Sequence, residues 1–526
     1  MKTNPMNLGL MLEGAAARHL GKAAIISGDV GISYAYIDKA SNKVANALLK
    51  TGVNKGDRIA MLLSNSPEFV ITFFGIIKAG AIAVPLDPQY KLDELAALFN
   101  DCTPVMLVSE NPQLEPLIPF LSGFDYIKHV IDLGSPYDGQ FISYQQIIET
   151  GSIRRISAEP EPDDIALILY TSGPSFLPRG VMLSHGGLVK EAGILSDTFQ
   201  QTDQDIVMLY ALPMYHVFGL VAILLAAVSK ASTVVMVPGT GLSISSFMAA
   251  IERQKGTIFL GVPYIFALAV DMAEKEGVKS DLSSLRLCSS SADFLSASLI
   301  NRFKELYGFK ILDCFALTEA VCHVTCPALD GSGKAGSVGK ALPGWQVKIV
   351  DNNDRGMPVK QAGEIVLKGP FMSGYYNNPQ ATAEVVKDGW LHTGDMGKMD
   401  KAGNLFIIGR KKDIIIVKGQ NIHPADVEAV LCQHPSVAEA AVIGFPDEMR
   451  GEVVGAVLSL KKVATATEQE IKQLCLDRLA SYKVPKQIVF LDSLPRSADG
   501  KIDKESLRRL LSLPSQYQRV SISLIQ

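Results

Sequence analysis

The chain predicts an α/β protein with a large N-terminal domain of βαβ-type layered sheets and a small α+β C-terminal domain. Three observations carry that prediction. Helix-like and strand-like segments alternate through the first part, and the alternation changes character after Gly409-Arg410. Apolar residues make up 48% and charged ones 20%, enough to supply more than one core. At about 150 residues per domain, the length of 526 fits three or four units, or two large ones.

The elements follow in order. RIAMLL (Arg58 to Leu63) reads as a strand, Ser66-Pro67 as a helix start and Gly80 as its stop before the strand AIAVPLD. KLDELAALFNDC is helix-like and VMLVSE, after Pro104, strand-like. Beyond RKKD come a strand IIIV (Ile414 to Val417), a helix with apolar Val427, Val430 and Leu431, and the strands AEAAVIGF and VVGAVLSL. The helix EQEIKQLCLDRLASYK, the strand QIVFL and a final KESLRRLL helix complete it. The boundary falls near Lys412, giving domains 1–411 and 412–526.

Fifty basic residues against fifty-four acidic ones leave a net charge of −4, so no chain-wide field favours nucleic acid. A mean hydropathy of +0.20 prompts a membrane check. The longest uncharged apolar run, Val217 to Val228, is well short of the roughly 20 residues a spanning helix needs, so it reads as core. Phe69 to Leu86 is apolar too but carries Lys78 in its middle. No sustained apolar stretch precedes Glu13, so no secretory signal is expected and the reading is cytoplasmic. Seven Cys without a CxxC fit free thiols. Cys314, Cys322, His323 and Cys326 cluster in sequence but lack the pairing of a zinc site.

Chemistry is suggested at five places. DIALILYTSGPSFLPRGV (Asp164 to Val181) puts hydroxyls and glycine after a strand, where phosphate oxygens can sit, and it is not a Walker A loop. LHTGD (Leu391 to Asp395) is joined to Gly409-Arg410 by KMDKAGNLFII. A two-residue hairpin loop at Ala402-Gly403 would set Asp395 opposite Arg410 at one end of a ribbon. Such a pair can hold ribose hydroxyls, or simply cap a hairpin as a surface ion pair. Thr318-Glu319 offers a hydroxyl and a carboxylate to phosphate and Mg²⁺. His216 lies in PMYHVFGL among aromatic neighbours, and Lys501 on a loop before a helix.

Taken in order from Tyr170 to Lys501, six motifs resemble those of one family. They are YTSGxxxxPRGV, LPMYHVFG, LTE, LHTGD, GRKKDIIIVKGxxIHPADVE and the final GKI. The chain resembles the adenylate-forming enzymes, the superfamily of acyl-CoA synthetases, peptide-synthetase adenylation domains and luciferases. The resemblance implies two steps: a carboxylate attacks the α-phosphate of ATP to give acyl-AMP and pyrophosphate, and the CoA thiol then displaces AMP. It implies ATP, Mg²⁺ and CoA, with a small carboxylic acid as substrate. Thr171, Ser172, Gly173, Ser175 and Arg179 would form the phosphate loop and Ala292 the adenine segment. Thr318 and Glu319 would serve phosphate and Mg²⁺, and Asp395 and Arg410 ribose. Lys501 would be the catalytic lysine, with Glu319 and His216 beside it. The C-terminal domain would be mobile about Lys412, swinging Lys501 out and the face of Gly419 in.

Departures from the pattern sharpen the expectations. Pro174, Ser175, Phe176 and Arg179 replace the usual loop residues, which predicts a stiffer loop with a weaker hold on pyrophosphate. Phe315-Ala316 and Ser289 to Asp293 also differ from the family. Tyr215-His216-Val217-Phe218 offers no Asp to pair with an amino acid's ammonium. Tyr215, Val217, Phe218, Val262, Tyr264, Phe266 and Val321 make an apolar candidate pocket, so a fatty or aromatic acid is expected. A non-catalytic adenylate binder and a ligase delivering to a carrier protein are the alternatives, and a homodimer stays open.

Overall fold

The computed structural model describes residues 7–512 apart from 135–139, 157–159, 172–178, 238–242, 279, 293–294, 418–419, 423, 448–450, 463, 480 and 498–500. The first βαβ unit forms as its punctuation predicts. Strand Arg58–Leu62 leads to Ser66, whose Oγ accepts the Phe69 N–H at 3.1 Å, and Pro67 opens the helix Pro67–Lys78. Gly80, at φ +77°, turns the chain into strand Ile82–Pro85, which pairs in parallel with the first strand. The helix is buried from Phe69 to Lys78. The one charge in that buried stretch is met inside: Lys78 Nζ donates to Asp38 Oδ1 (2.6 Å), Asp38 O (3.0 Å) and Asn42 Oδ1 (2.9 Å). Burial lowers the Lys78 pKa and the Asp38 carboxylate opposes that fall.

Units of this kind build two large sheets. One has eight strands in the order 374–375, 179–184, 165–171, 82–85, 58–62, 106–109, 129–132 and 142–143. The other has seven, in the order 311–313, 287–290, 258–261, 206–210, 233–237, 23–27 and 30–33, parallel except for its last hairpin. The apolar run after Val217 forms a wide π-type helical segment, Phe218–Leu225, continuing into helix Ala226–Lys230, and is buried through Val228. No helix among the described residues is long and apolar enough to cross a membrane.

A third, antiparallel sheet holds strands Gln346–Val350, Gly363–Lys368, Trp390–Met399 and Val386–Lys387, with Leu405–Arg410 paired to the long strand. The chain then passes through a short turn, Lys411–Asp413, into a last five-stranded sheet. Strands Gln420–Ile422, Ile415–Val417, Gly451–Leu460, Val437–Asp447 and Gln487–Leu491 make that sheet. Two apolar clusters around it draw wholly on residues 415–507.

One expectation needs correction. The helix read as running to Lys483 is Glu468–Arg478, started by a Thr467/Glu470 capping box and ended where Leu479 turns extended. Between the Thr-Ser-Gly turn and the helix His185–Thr198 lies the strand Arg179–Ser184, antiparallel to Ile165–Thr171. The candidate phosphate loop therefore connects two antiparallel strands.

Candidate active site

LHTGD sits on the long strand Trp390–Met399 of the third sheet, and its neighbours explain its spelling. Thr393 Oγ1 donates to Ile365 O (2.8 Å) and accepts the Asp395 N–H (3.0 Å), fixing the strand's path at the carboxylate. Gly394 takes φ +70°, a region that penalises side chains, and its N–H reaches Glu364 Oε1 at 3.2 Å. Glu364 also takes Lys411 Nζ at 2.9 Å and lies 3.4 Å from His392 Nδ1.

Asp395 does stand opposite Arg410, by a route different from the expected one. The hairpin loop has three residues, with Asp400 paired to Asn404 and Gly403 at φ +82°. Asp400 Oδ1 accepts the N–H groups of Ala402 and Asn404, each at 2.9 Å. That loop sets Met399 against Leu405 and Gly397 against Ile407, one step away from the predicted register. A bulge at Ile408 then restores it, so Met396 meets Gly409 and Asp395 meets Arg410. Arg410 Nε donates to Asp395 Oδ1 at 2.9 Å, the carboxylate nearly buried and the guanidinium half-exposed.

The electrostatics of Asp395 tie the site together. Burial pushes its carboxyl up to about 6, and the nearby charge of Glu319 pushes the same way. The Arg410 and Lys501 cations pull it back. Asp395, Arg410, Glu319 and Lys501, drawn from three stretches of the sequence, thus act on one another.

Glu319 is held from another side. Tyr375 Oη donates to its Oε1 at 2.9 Å, and the Tyr375 ring lies 5.2 Å under the Arg179 guanidinium. The N–H of Met372 donates to the Glu319 carbonyl at 2.8 Å. Thr318 is buried in the short turn Thr318–Ala320, which closes through Val321 N–H to Thr318 O at 3.0 Å. Val321 adopts φ +62°, a strained conformation for a β-branched residue. The sequence carries no signal for Tyr375 beyond a Tyr-Tyr pair, and the fold places it on the edge strand Gly374–Tyr375. The half-buried Glu319 carboxylate suits Mg²⁺, which takes one or two carboxylates and leaves its other positions to phosphate and water.

Other predicted residues are placed as follows. Thr171 and Arg179 face each other across the base of the candidate phosphate hairpin, with Thr171 Oγ1 3.5 Å from Arg179 O. Ser172, Gly173, Pro174, Ser175 and Phe176 lie outside the described residues, as does Gly419, so the stiff-loop expectation has no structural counterpart. Ala292 follows the strand Leu287–Ser290 and takes φ +78°, standing where a glycine-rich turn would be at ease. The Ser289 and Ser291 hydroxyls turn inward, to Leu312 O (3.2 Å) and Cys314 O (2.9 Å). His216 Nδ1 accepts the Phe218 N–H at 3.3 Å, so Nε2 carries the ring proton. Its loop is pinned by Asn65, bonded to Leu212 O and Met214 N at 2.8 Å each. Gly219 is obligatory there: a Cβ would come within 2.3 Å of Pro213 O.

The expected acyl wall is only partly assembled. Val217, Phe218 and Val321 are buried beside His216 and Glu319. Phe266 instead packs between Phe259 and Phe303 in a separate core, and Tyr264 is 44% exposed. Around Val321, Cys322 Sγ lies 3.2 Å from His323 Nδ1, and Cys314 Sγ lies 3.2 Å from Ser289 Oγ. No group of three potential ligands that could hold a metal is found among the described residues. On the neighbouring helix, buried Glu191 takes the Trp345 Nε1–H at 3.1 Å, and burial pushes its carboxyl up to about 8.

Comparison with known proteins identifies the family. Residues 12–376 match the family model described as AMP-binding enzyme, and residues 426–501 match the AMP-binding enzyme C-terminal domain. An indoleacetate–CoA ligase of Aromatoleum aromaticum is 34% identical over 516 residues, covering 96% of this chain and 98% of that protein. A long-chain-fatty-acid–CoA ligase of Bacillus subtilis is 32% identical, covering 97% and 95%. Among solved structures, ATP-bound MatB of Rhodopseudomonas palustris superposes with a TM-score of 0.89 at 30% identity, covering 98% of this chain and 99% of that one. The chain belongs to the AMP-binding enzyme family, the adenylate-forming superfamily that includes the acyl-CoA synthetases.

Proposed function

We propose that this acid–thiol ligase activates a hydrophobic carboxylic acid, aromatic or fatty, as its acyl-AMP and passes the acyl group to CoA. The observation that carries the reading is the shared electrostatic environment of Asp395, Arg410, Glu319 and Lys501. Asp395 accepts the ribose hydroxyls while Arg410 orients its carboxylate. Lys501 carries its ammonium to the reacting carboxylate and α-phosphate, where negative charge concentrates as the new bond forms. Glu319, oriented by Tyr375, would hold Mg²⁺, which supplies charge neutralisation at the phosphates when bound. Buried Val217, Phe218 and Val321 supply an apolar lining, and relatives named for indoleacetate and long-chain fatty acids agree with an apolar acid.

The segment 412–526 forms the mobile domain in this reading, and Lys411–Asp413 is its hinge. Fixing the hinge with Lys412→Pro spares acyl-AMP formation and impairs thioester formation; equal rates in both steps would remove Lys412 from the hinge. The overall function is tested by acid-dependent exchange of labelled pyrophosphate into ATP. Octanoate, palmitate, benzoate, indoleacetate and glycine are the acids, followed by CoA addition. Exchange with one or more of the apolar acids, little with glycine, and acyl-CoA on adding CoA are expected. Exchange with glycine alone, or none with any acid, contradicts the proposal.

A further inference from the structure

Lys501 reaches the nucleotide site on a short loop, and that loop has a second attachment. Ser497 N–H donates to Lys501 O at 2.8 Å, Asp503 N–H donates to Pro495 O at 2.8 Å, and Arg496 bridges Ile502 across the loop. Arg496 and Lys501 are thus fixed relative to one another by the backbone contacts between 495–497 and 501–503. Leu494 and Leu507, both buried, root its base in the C-terminal core.

The Arg496 side chain looks two ways. One Nη donates to Glu439 of its own sheet, and the guanidinium carbon lies 4.9 Å from the centroid of the Tyr264 ring. Tyr264 belongs to the other part of the molecule, at the start of helix Pro263–Glu276. That helix follows strand Ile258–Gly261, whose parallel neighbour Leu287–Ser290 leads into Ala292. A ring that is 44% exposed, on the rim where the parallel strands end, therefore meets a cation from the segment that delivers Lys501.

We infer that Tyr264 is a positioning residue for acyl-AMP formation: its ring face holds Arg496, and through that loop it holds Lys501 over the nucleotide. The inference rests on the proposed role of Lys501. Glu439 keeps the guanidinium plane set, so the contact forms without reorganising a long side chain. The contact exists only while the C-terminal segment sits in this orientation, so it biases the equilibrium between the two working orientations toward the adenylating one. When those orientations exchange faster than either reaction, the ratio of the two half-reaction rates scales with that equilibrium. A stacked cation at an accessible site changes it by roughly two- to fivefold.

The test compares Tyr264→Leu, Tyr264→Phe, Lys501→Ala and the unmodified full-length chain. Pyrophosphate exchange with the best acid of the panel is measured beside CoA-dependent consumption of the corresponding supplied acyl-AMP. Tyr264→Leu is expected to lower the exchange-to-thioester ratio about two- to fivefold, and Tyr264→Phe, which keeps the ring, to restore it. Loss of stability alone lowers both rates together and leaves the ratio unmoved. If Lys501→Ala abolishes exchange and Tyr264→Leu keeps the unmodified ratio, the inference is overturned while the proposed function stands. If Lys501→Ala exchanges as well as the unmodified chain, the role of Lys501 fails and this inference fails with it.

Discussion

Asp395 offers a perturbation whose size follows from its surroundings. Burial holds its carboxyl at about 6 instead of 3.8, close enough to neutrality to titrate within a workable range. Ribose hydroxyls need the carboxylate as an acceptor, so the competent fraction falls from about nine-tenths at pH 7 to about one-tenth at pH 5. That is a tenfold loss of nucleotide affinity, or about 1.4 kcal/mol. Folding stability runs the other way. Because the folded pKa is raised, this group's stabilising contribution is complete below 3.8 and is lost as pH climbs through about 6. Affinity is therefore the cleaner readout. Calorimetric titration with ATP at pH 5, 6, 7 and 8, run in parallel on Asp395→Asn, cancels the nucleotide's own protonation. The ratio of unmodified to Asn-variant affinity should drop about tenfold between pH 7 and 5. Parallel profiles for the two proteins across that range would refute the assignment of Asp395 to the ribose.

Two further outcomes follow from contacts that flank the site. Glu191, pushed up to about 8 by burial, contributes stability that is complete below 4.5 and lost as pH rises through 8, worth roughly 5 kcal/mol at most. Glu191→Gln should therefore lose less melting temperature than the unmodified chain between pH 6 and 9, and equal losses by calorimetry would count against a neutral Glu191. Removing the hydroxyl that orients Glu319, by Tyr375→Phe, should raise the Mg²⁺ concentration for half-maximal exchange by roughly two- to tenfold. An unchanged Mg²⁺ dependence would detach Tyr375 from the metal site.

What local rules govern is legible in the sequence, and what depends on packing is not. Ser66, Pro67 and Gly80 announce their helix because caps and a left-handed turn act on adjacent backbone. The pairing of Asp395 with Arg410 came from counting across a hairpin. The two residues meet because a three-residue loop and a bulge at Ile408 shift the register in opposite senses. Nothing in PEFVITFFGIIK tells that Lys78 is buried, because its partners Asp38 and Asn42 come from the preceding helix. Glu191 reads as an ordinary polar helix residue, and its burial against Trp345 spans 154 positions. Tyr375 was likewise silent, since its meaning lies in reaching Glu319. Tyr264 reads as acyl lining from its apolar character, which gives no sign that its ring meets Arg496.

In the proposed reaction Lys501 acts in one half-reaction and not the other. Lys501→Ala, assayed for acyl-AMP formation and separately for thioester formation from supplied acyl-AMP, measures that asymmetry directly. Removing one preorganised charge donor costs about 10²- to 10³-fold, so acyl-AMP formation should fall by at least that factor while the thioester step keeps most of its rate. Equal losses in the two steps, or full acyl-AMP formation without the ammonium, would contradict the account.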